Sequence, residues 1–280
     1  MKYNEFYLTK TDGFCFFVRQ WLPDTAPKGL ILLVHGLSDH GGRFAFVAEA
    51  FAGEGYIFTA PDLRGNGKSD GKRGHFASLG QVMEDIRYFL QECRKAHLDI
   101  PVMLYSQSMG GNLAINFSLQ FPGEIHGLVA SSPWLRLTKP PSAIVESIAS
   151  KMVKIFPSLL IPVSLKAREL CHDKVICTAY DHDPLIHWKI SLSTFFVILK
   201  SGEWAIAHVS ELKIPLLLMH SKADPITSFA ASLQFYQNAN DLCTFVEFKD
   251  LYHELHNEAP KAGIVGNAIK WINKQLFDEG

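Results

Sequence analysis

Ser108 lies in "YSQSMGGN", residues 105–112, between an apolar run and a helix-like stretch. A serine at such a strand-to-helix turn projects its hydroxyl clear of the backbone when its neighbours are small. Gly110 and Gly111 meet that need on the helix side. On the strand side Ser106 stands where G-x-S-x-G has its first glycine, adding only a hydroxymethyl group. A serine hydroxyl attacks a carbonyl when an imidazole takes its proton and a carboxylate fixes the imidazole's tautomer. Asp224 in "HSKADPIT" and His253 in "LYHELHNE" follow Ser108 in the order serine, acid, histidine. His256 is the rival base, expected inside the last helix. Asp241 and Asp250 are rival acids, set too close to neighbouring element ends. The oxyanion formed by attack needs two backbone N–H donors. Met109, opening a helix, supplies one, and Leu37, after Gly36 in "HGLSDHGGRF", the other. Residues Asp39 to Arg43 are expected to order that loop, with Arg43 either solvated or ion-paired.

Other chemistries fit less well. "HELH" sets two histidines three apart, one short of the H-E-x-x-H spacing that places both on one face of a zinc-binding helix. "RGNGKSD" carries two glycines of a dinucleotide loop but has Asp70 at the third position and follows the wrong strand. Neither a metal nor a cofactor is expected. Lys plus Arg total 27 against 28 Asp plus Glu, so no basic surface for nucleic acid is expected. The five cysteines are odd in number and form no C-x-x-C pair, which suits free thiols in a reducing compartment. No apolar leader follows Met1 and no run of about 18 apolar residues occurs. A cytoplasmic chain without a membrane span is therefore expected, with peripheral membrane contact left open.

The elements that must position these residues are legible. "FYLTK" and "FCFFVRQW" flank Asp12-Gly13, a good hairpin turn. "GLILLVHG", "YIFTAPD", "PVMLYSQS", "HGLVASSP", "IPLLLMHSKAD" and "CTFVEFKD" are near-continuous apolar runs, the mark of strands covered on both faces. Helical patterns alternate with them; Val82, Ile86, Phe89, Leu90 and Cys93 share one helix face. The expected fold is α/β, a mostly parallel sheet with helices on both sides. His35-Gly36, Asp62, Ser108, Asp224 and His253 all fall just after predicted strands, where such sheets bind ligands. Residues 134–208 lose the strand pattern and read as an apolar helical cap inserted between core segments 1–133 and 209–280.

With those residues assembled, "HGLSDHGGRF", "PDLRGNGKSDGKRGH", "SQSMGGN", "HSKADPITS" and "LYHELHNE" resemble the monoacylglycerol lipase and lysophospholipase group of serine hydrolases, over nearly the whole chain. The resemblance implies an α/β-hydrolase core, a mobile helical cap and ester hydrolysis without a cofactor. Carried over by position, Ser108 is the nucleophile, Asp224 the acid, His253 the base, and Leu37 and Met109 the oxyanion donors. His75, closing "R-G-H", is implied as structural support. Three positions depart from the pattern: Ser106 for glycine, Gln107 where histidine is common, and Ser221 where glycine follows His220. None removes a group the reaction needs. Gly36, Gln107, Ile144, Ile148 and Met152 are the candidate substrate contacts, the last three from an apolar stretch suited to an acyl tunnel or a membrane. A lipid ester, either a monoacylglycerol or a lysophospholipid, is the expected partner. A general carboxylesterase, an aminopeptidase or a non-catalytic binding protein of this fold are the alternatives. An intact Ser-Asp-His set argues against the last.

Overall fold

The predicted hairpin joins β1 (Lys2–Thr9) to β2 (Cys15–Leu22), and the Asp12 carboxylate accepts the Phe14 N–H at 3.0 Å inside its turn. The structure, a computed structural model, describes residues 1–97, 100–163 and 165–277. After the hairpin, strands and helices alternate: β3 (Gly29–Val34), α1 (Ala45–Gly53), β4 (Tyr56–Pro61), α2 (Leu79–Ala96), β5 (Val102–Gln107), α3 (Met109–Gln120) and β6 (Gly127–Ser131). Then come α4 (Ala143–Met152), β7 (Leu160–Pro162), α5 (Lys174–His182), β8 (Lys189–Ser191) and α6 (Leu192–His208). The chain closes through β9 (Leu216–Ser221), α7 (Phe229–Asn238), β10 (Cys243–Phe248) and α8 (Lys261–Phe277).

Eight strands form one sheet in the order β1-β2-β4-β3-β5-β6-β9-β10, antiparallel through the first three and parallel from β4 onward. Successive side chains of a strand point to opposite faces, and the core divides accordingly. Leu30, Leu32 and Val34 of β3 join Leu104 of β5 and Leu218 of β9 under α2, α3 and α6. Ile31 and Leu33 join Met103, Tyr105 and Leu217 under α1 and α8. A strand buried on both faces has no polar place in its repeat, which is why these runs are continuous. The predicted apolar stripe of α2 is buried throughout, and the helix starts at Ser78, whose hydroxyl accepts the Gln81 N–H at 3.2 Å.

The chain leaves β3 for β4 on one side, then crosses back to place β5 on the other. The C-terminal ends of β3 and β5 thus lie side by side, Val34 opposite Ser106, at the point where strand order reverses and ligands bind.

Residues 134–208 are of two kinds. α4 buries no residue, and β7 pairs only with β8, two three-residue strands where helix alone was expected. α6 instead packs along α3 as part of the main core. Asn112 explains why: its Nδ2 donates to the carbonyls of Trp134 and Ile198 at 2.8 and 3.1 Å, tying α3 to the start and end of the segment. His256 lies in a 3-10 turn before α8, not inside the last helix, because its ring stacks on Phe44 at 4.5 Å.

Candidate active site

Ser108 occupies the turn between β5 and α3 with φ of 57°, a left-handed backbone that only a fully determined surrounding holds. Its N–H donates to Ser131 at 3.0 Å and its carbonyl accepts from Asn112 and Trp134. Gly110 lets α3 come this close, since a Cβ there would sit 1.9 Å from the Val34 carbonyl oxygen. Ser106 is accommodated by turning its hydroxyl to β6, where it donates to the Val129 carbonyl at 2.9 Å. The missing glycine is therefore a neighbour's change that leaves the turn intact.

Asp224, in the loop after β9, accepts the His253 Nδ1–H at 2.8 Å and the Thr227 hydroxyl at 2.8 Å on Oδ2. Its Oδ1 accepts the N–H groups of Ile226 and Thr227 at 2.8 and 3.0 Å. A second imidazole, His220, lies 3.1 Å away through Nε2 and reaches Ser232 at 2.7 Å through Nδ1. Burial would raise the Asp224 carboxyl, but His253 first, and His220 with it, hold it well below the usual carboxylate range. Burial likewise opposes the His253 cation, and the Asp224 carboxylate outweighs it, so that imidazole is raised. With Nδ1–H committed to Asp224, Nε2 is the ring nitrogen left free to accept a proton. The bonds of His253 run to Asp224 and Thr227. Among the described residues none links it to Ser108, the looser form common before a substrate enters. Ser108 and His253 do line one cavity together.

The loop after β3 is held by a buried histidine. His35 Nε2 accepts the Leu63 N–H at 2.8 Å, which leaves Nδ1–H to donate to the Gly36 carbonyl at 2.8 Å. Burial pushes this ring down, so it stays neutral. In a trans peptide the N–H points opposite to the C=O. Fixing the Gly36 carbonyl therefore fixes the direction of the Leu37 N–H. A Cβ at Gly36 would lie 2.6 Å from Gln107 Oε1 and 3.3 Å from Ser108 Cβ, so a side chain there would displace the Gln107 amide. Met109 opens α3, so its N–H has no carbonyl one turn earlier to serve. Gln107 Nε2 is buried and without a partner among the described residues.

The cavity measures about 680 Å³. Trp134, Leu137, Ile161, Val163, Ile190 and Phe195 give it apolar walls, while Asp39, Arg43, Glu254 and Tyr180 form a polar patch. Arg43 is ion-paired rather than solvated: it holds Glu254 through both oxygens at 2.7 and 2.6 Å and Asp39 at 3.1 Å, with its guanidinium over the Tyr180 ring. Burial would raise the Glu254 carboxyl, but Arg43 brings it down to about 2.

Leu37, Gln107, Ser108 and His253 line this cavity. Ile144, Ile148 and Met152 do not: they are 74%, 56% and 37% exposed, on the outer side of α4. Val145, Glu146 and Ala149, which a helical period turns the other way, take the lining places. His75 sits outside the cavity, 2.8 Å from the Ser191 hydroxyl, as a tie between core and insertion. His35 was singled out by its place after an apolar run; His220, Thr227 and Glu254 join the site without having been singled out by spacing. Of these three, His220 carried a signal, as a polar residue ending an apolar strand. Groups of histidine, cysteine and acid able to hold a metal ion are absent among the described residues.

Comparison with known proteins bears on the family and the fold. The family model Hydrolase_4, described as serine aminopeptidase, S33, matches residues 25–260. An uncharacterized abhydrolase domain-containing protein of Dictyostelium discoideum is 32% identical over 96% of this chain, which spans 29% of that protein's length. A monoacylglycerol lipase of Mycolicibacterium smegmatis is 30% identical, covering 91% of this chain and 92% of that protein. The crystal structure of a Paleococcus ferrophilus monoacylglycerol lipase superposes with a TM-score of 0.85 at 28% identity, over 93% of this chain and 99% of that one.

Proposed function

The chain belongs to the serine α/β-hydrolase family that Hydrolase_4 describes, and we propose on that premise that it hydrolyses carboxylic esters of lipids, monoacylglycerols foremost. His253 Nε2 takes the Ser108 proton as the serine oxygen attacks the ester carbonyl. The Leu37 and Met109 N–H groups receive the oxyanion. The ester C–O bond then breaks, and His253 returns its proton to the departing alcohol. Water, deprotonated by His253, attacks the acyl-enzyme, releases the fatty acid and restores Ser108. Residues 134–208, apart from α6, serve as a cap over this site.

The observation that carries the reading is the pairing of this constellation with an amphipathic cavity of about 680 Å³, within the size of small-molecule sites. Arg43 is saturated by Asp39 and Glu254, so this patch offers neither a free cation for phosphate nor a free carboxylate for an amine. An uncharged glycerol suits it better. A lysophospholipid is the second reading, favoured by Lys139 and Lys166 on the same cavity wall. The five cysteines are all free, which supports a reducing, cytoplasmic setting.

The test is turnover of monopalmitoylglycerol, lysophosphatidylcholine, p-nitrophenyl acetate and an aminoacyl p-nitroanilide by wild type and Ser108→Ala. Wild type is expected to prefer the monoacylglycerol, and Ser108→Ala to lose on the order of 10⁴-fold or more in kcat. Near-full esterase activity in that variant, or a preference for the acetate, sinks the reading.

A further inference from the structure

The loop that carries Leu37 turns at Ser38, whose φ is 53°. A serine in that region is strained and stays there only when its surroundings determine it. Here the surroundings come from about 150 residues away in the chain. His187 Nδ1 lies 3.1 Å from the Ser38 hydroxyl, and the Tyr180 hydroxyl donates to the Ser38 carbonyl at 3.4 Å. Both belong to the insertion. The other ring nitrogen, His187 Nε2, lies 3.0 Å from Asn66 Oδ1, in the loop after β4.

The protons in this relay can be assigned. Asn66 Nδ2 donates to the Arg64 carbonyl at 2.9 Å, so Oδ1 is the oxygen facing His187 and an acceptor. His187 Nε2 must then carry the hydrogen. Burial first, with Arg73 nearby, pushes this imidazole down to about 4, so at pH 7 the ring is neutral and its Nδ1 is bare. The Ser38 hydroxyl therefore donates to Nδ1. A third strap, His40 Nε2 to Asp183 at 2.9 Å, binds the same loop to the same insertion.

We propose that His187 is a positioning residue for ester hydrolysis: reaching in from the insertion, it holds Ser38 in its left-handed turn and so keeps the adjacent Leu37 N–H where the oxyanion forms. The inference rests on the reading of Ser108 and Leu37 given above. His35 fixes the loop from within the core, and His187 fixes it from the roof. The insertion is then part of the oxyanion hole's scaffold, and any movement of its 180–187 stretch alters the hole.

The experiment uses the full chain and three measurements: kcat/KM on a short p-nitrophenyl ester, affinity for an arylboronic acid that adds to the serine as a tetrahedral anion, and affinity for an uncleavable ether analogue of a monoacylglycerol. His187→Ala is expected to lower kcat/KM roughly 10- to 100-fold and to weaken the boronate by a similar factor, with the ether analogue unchanged to about twofold. His187→Gln, which keeps one acceptor and one donor, should recover part of the loss. If His187 acts through Ser38, the double variant Ser38→Ala/His187→Ala should be no slower than Ser38→Ala alone. Where His187→Ala fails to fold, His187→Gln and Ser38→Ala decide: Ser38→Ala should show the larger loss, confined to kcat/KM and the boronate. The proposal is overturned by kcat/KM within about twofold of wild type, by losses that multiply in the double variant, or by an ether analogue weakened as much as the boronate. A failure of the underlying reading looks different: wild type itself would then neither hydrolyse the ester nor take a fluorophosphonate at Ser108.

Discussion

A serine hydroxyl at neutral pH is a poor nucleophile, and in the proposed reaction Ser108 depends on what is done to two other side chains. His253 is raised by the Asp224 carboxylate, against its burial. The base must be neutral to accept a proton, so kcat/KM should fall as pH drops through this raised value, with the acid limb above the ordinary imidazole midpoint of about 6.5. In Asp224→Asn the opposing charge is gone and burial dominates. The limb of the remaining activity should then move to lower pH, as a pH–rate profile of both proteins would reveal; an unmoved limb would contradict the pairing. The three residues proposed to react were legible as candidates because each follows a strand's carboxyl end. His220 was not, since one histidine closing a buried strand reads as packing until its ring is seen 3.1 Å from Asp224. His187 was harder still, because it lies between α5 and β8, where no period says which residues face the core.

At the level of elements, the site is a junction of strand ends kept tight by close backbone approach. The contact of α3 with β3 at Gly110 is the closest of these: a methyl group there would meet the Val34 and His35 carbonyl oxygens at 1.9 and 2.4 Å. Gly110→Ala must push α3 away from the sheet and drag Met109 with it. We expect it to destabilise the fold by about 2 kcal/mol or more and to lower kcat by at least tenfold; denaturant unfolding and ester turnover measure the two effects. The central strands were readable from continuous apolar runs, which a strand buried on both faces requires; β10 was read the same way but is an edge strand in which only Cys243 is buried. The division of residues 134–208 was not. α4 and α6 are both apolar, and composition does not say that Asn112 claims α6 for the core while α4 is left to solvent. The assignment of Ile144, Ile148 and Met152 to the cavity failed for the same reason: a helix apolar on more than one side does not announce which side faces inward.

Taken whole, the molecule gathers several of its exposed apolar side chains in the stretch from Ile144 to Leu159. Ile144, Val145, Ile148, Ile155, Phe156 and Leu159 are all more than 40% exposed, and Val145 also lines the cavity. No helix among the described residues is long and apolar enough to cross a membrane. We propose that this patch, with Lys151 and Lys154 among its residues, meets a lipid surface. Ile148→Asp/Phe156→Asp should lose sedimentation with phosphatidylcholine vesicles containing phosphatidylserine while retaining turnover of a dissolved p-nitrophenyl ester; equal sedimentation of both proteins would refute the contact. The bent backbone at Ser108 bears on the whole molecule in another way. Glycine tolerates a φ of 57° without the clash that a β-carbon brings. Ser108→Gly should therefore melt about 2 °C higher than wild type while turning over nothing. A calorimetric scan that placed it lower would contradict this. If the heat resistance is found, this fold is at its most robust as an inert relative, and keeping it reactive means keeping it a little fragile.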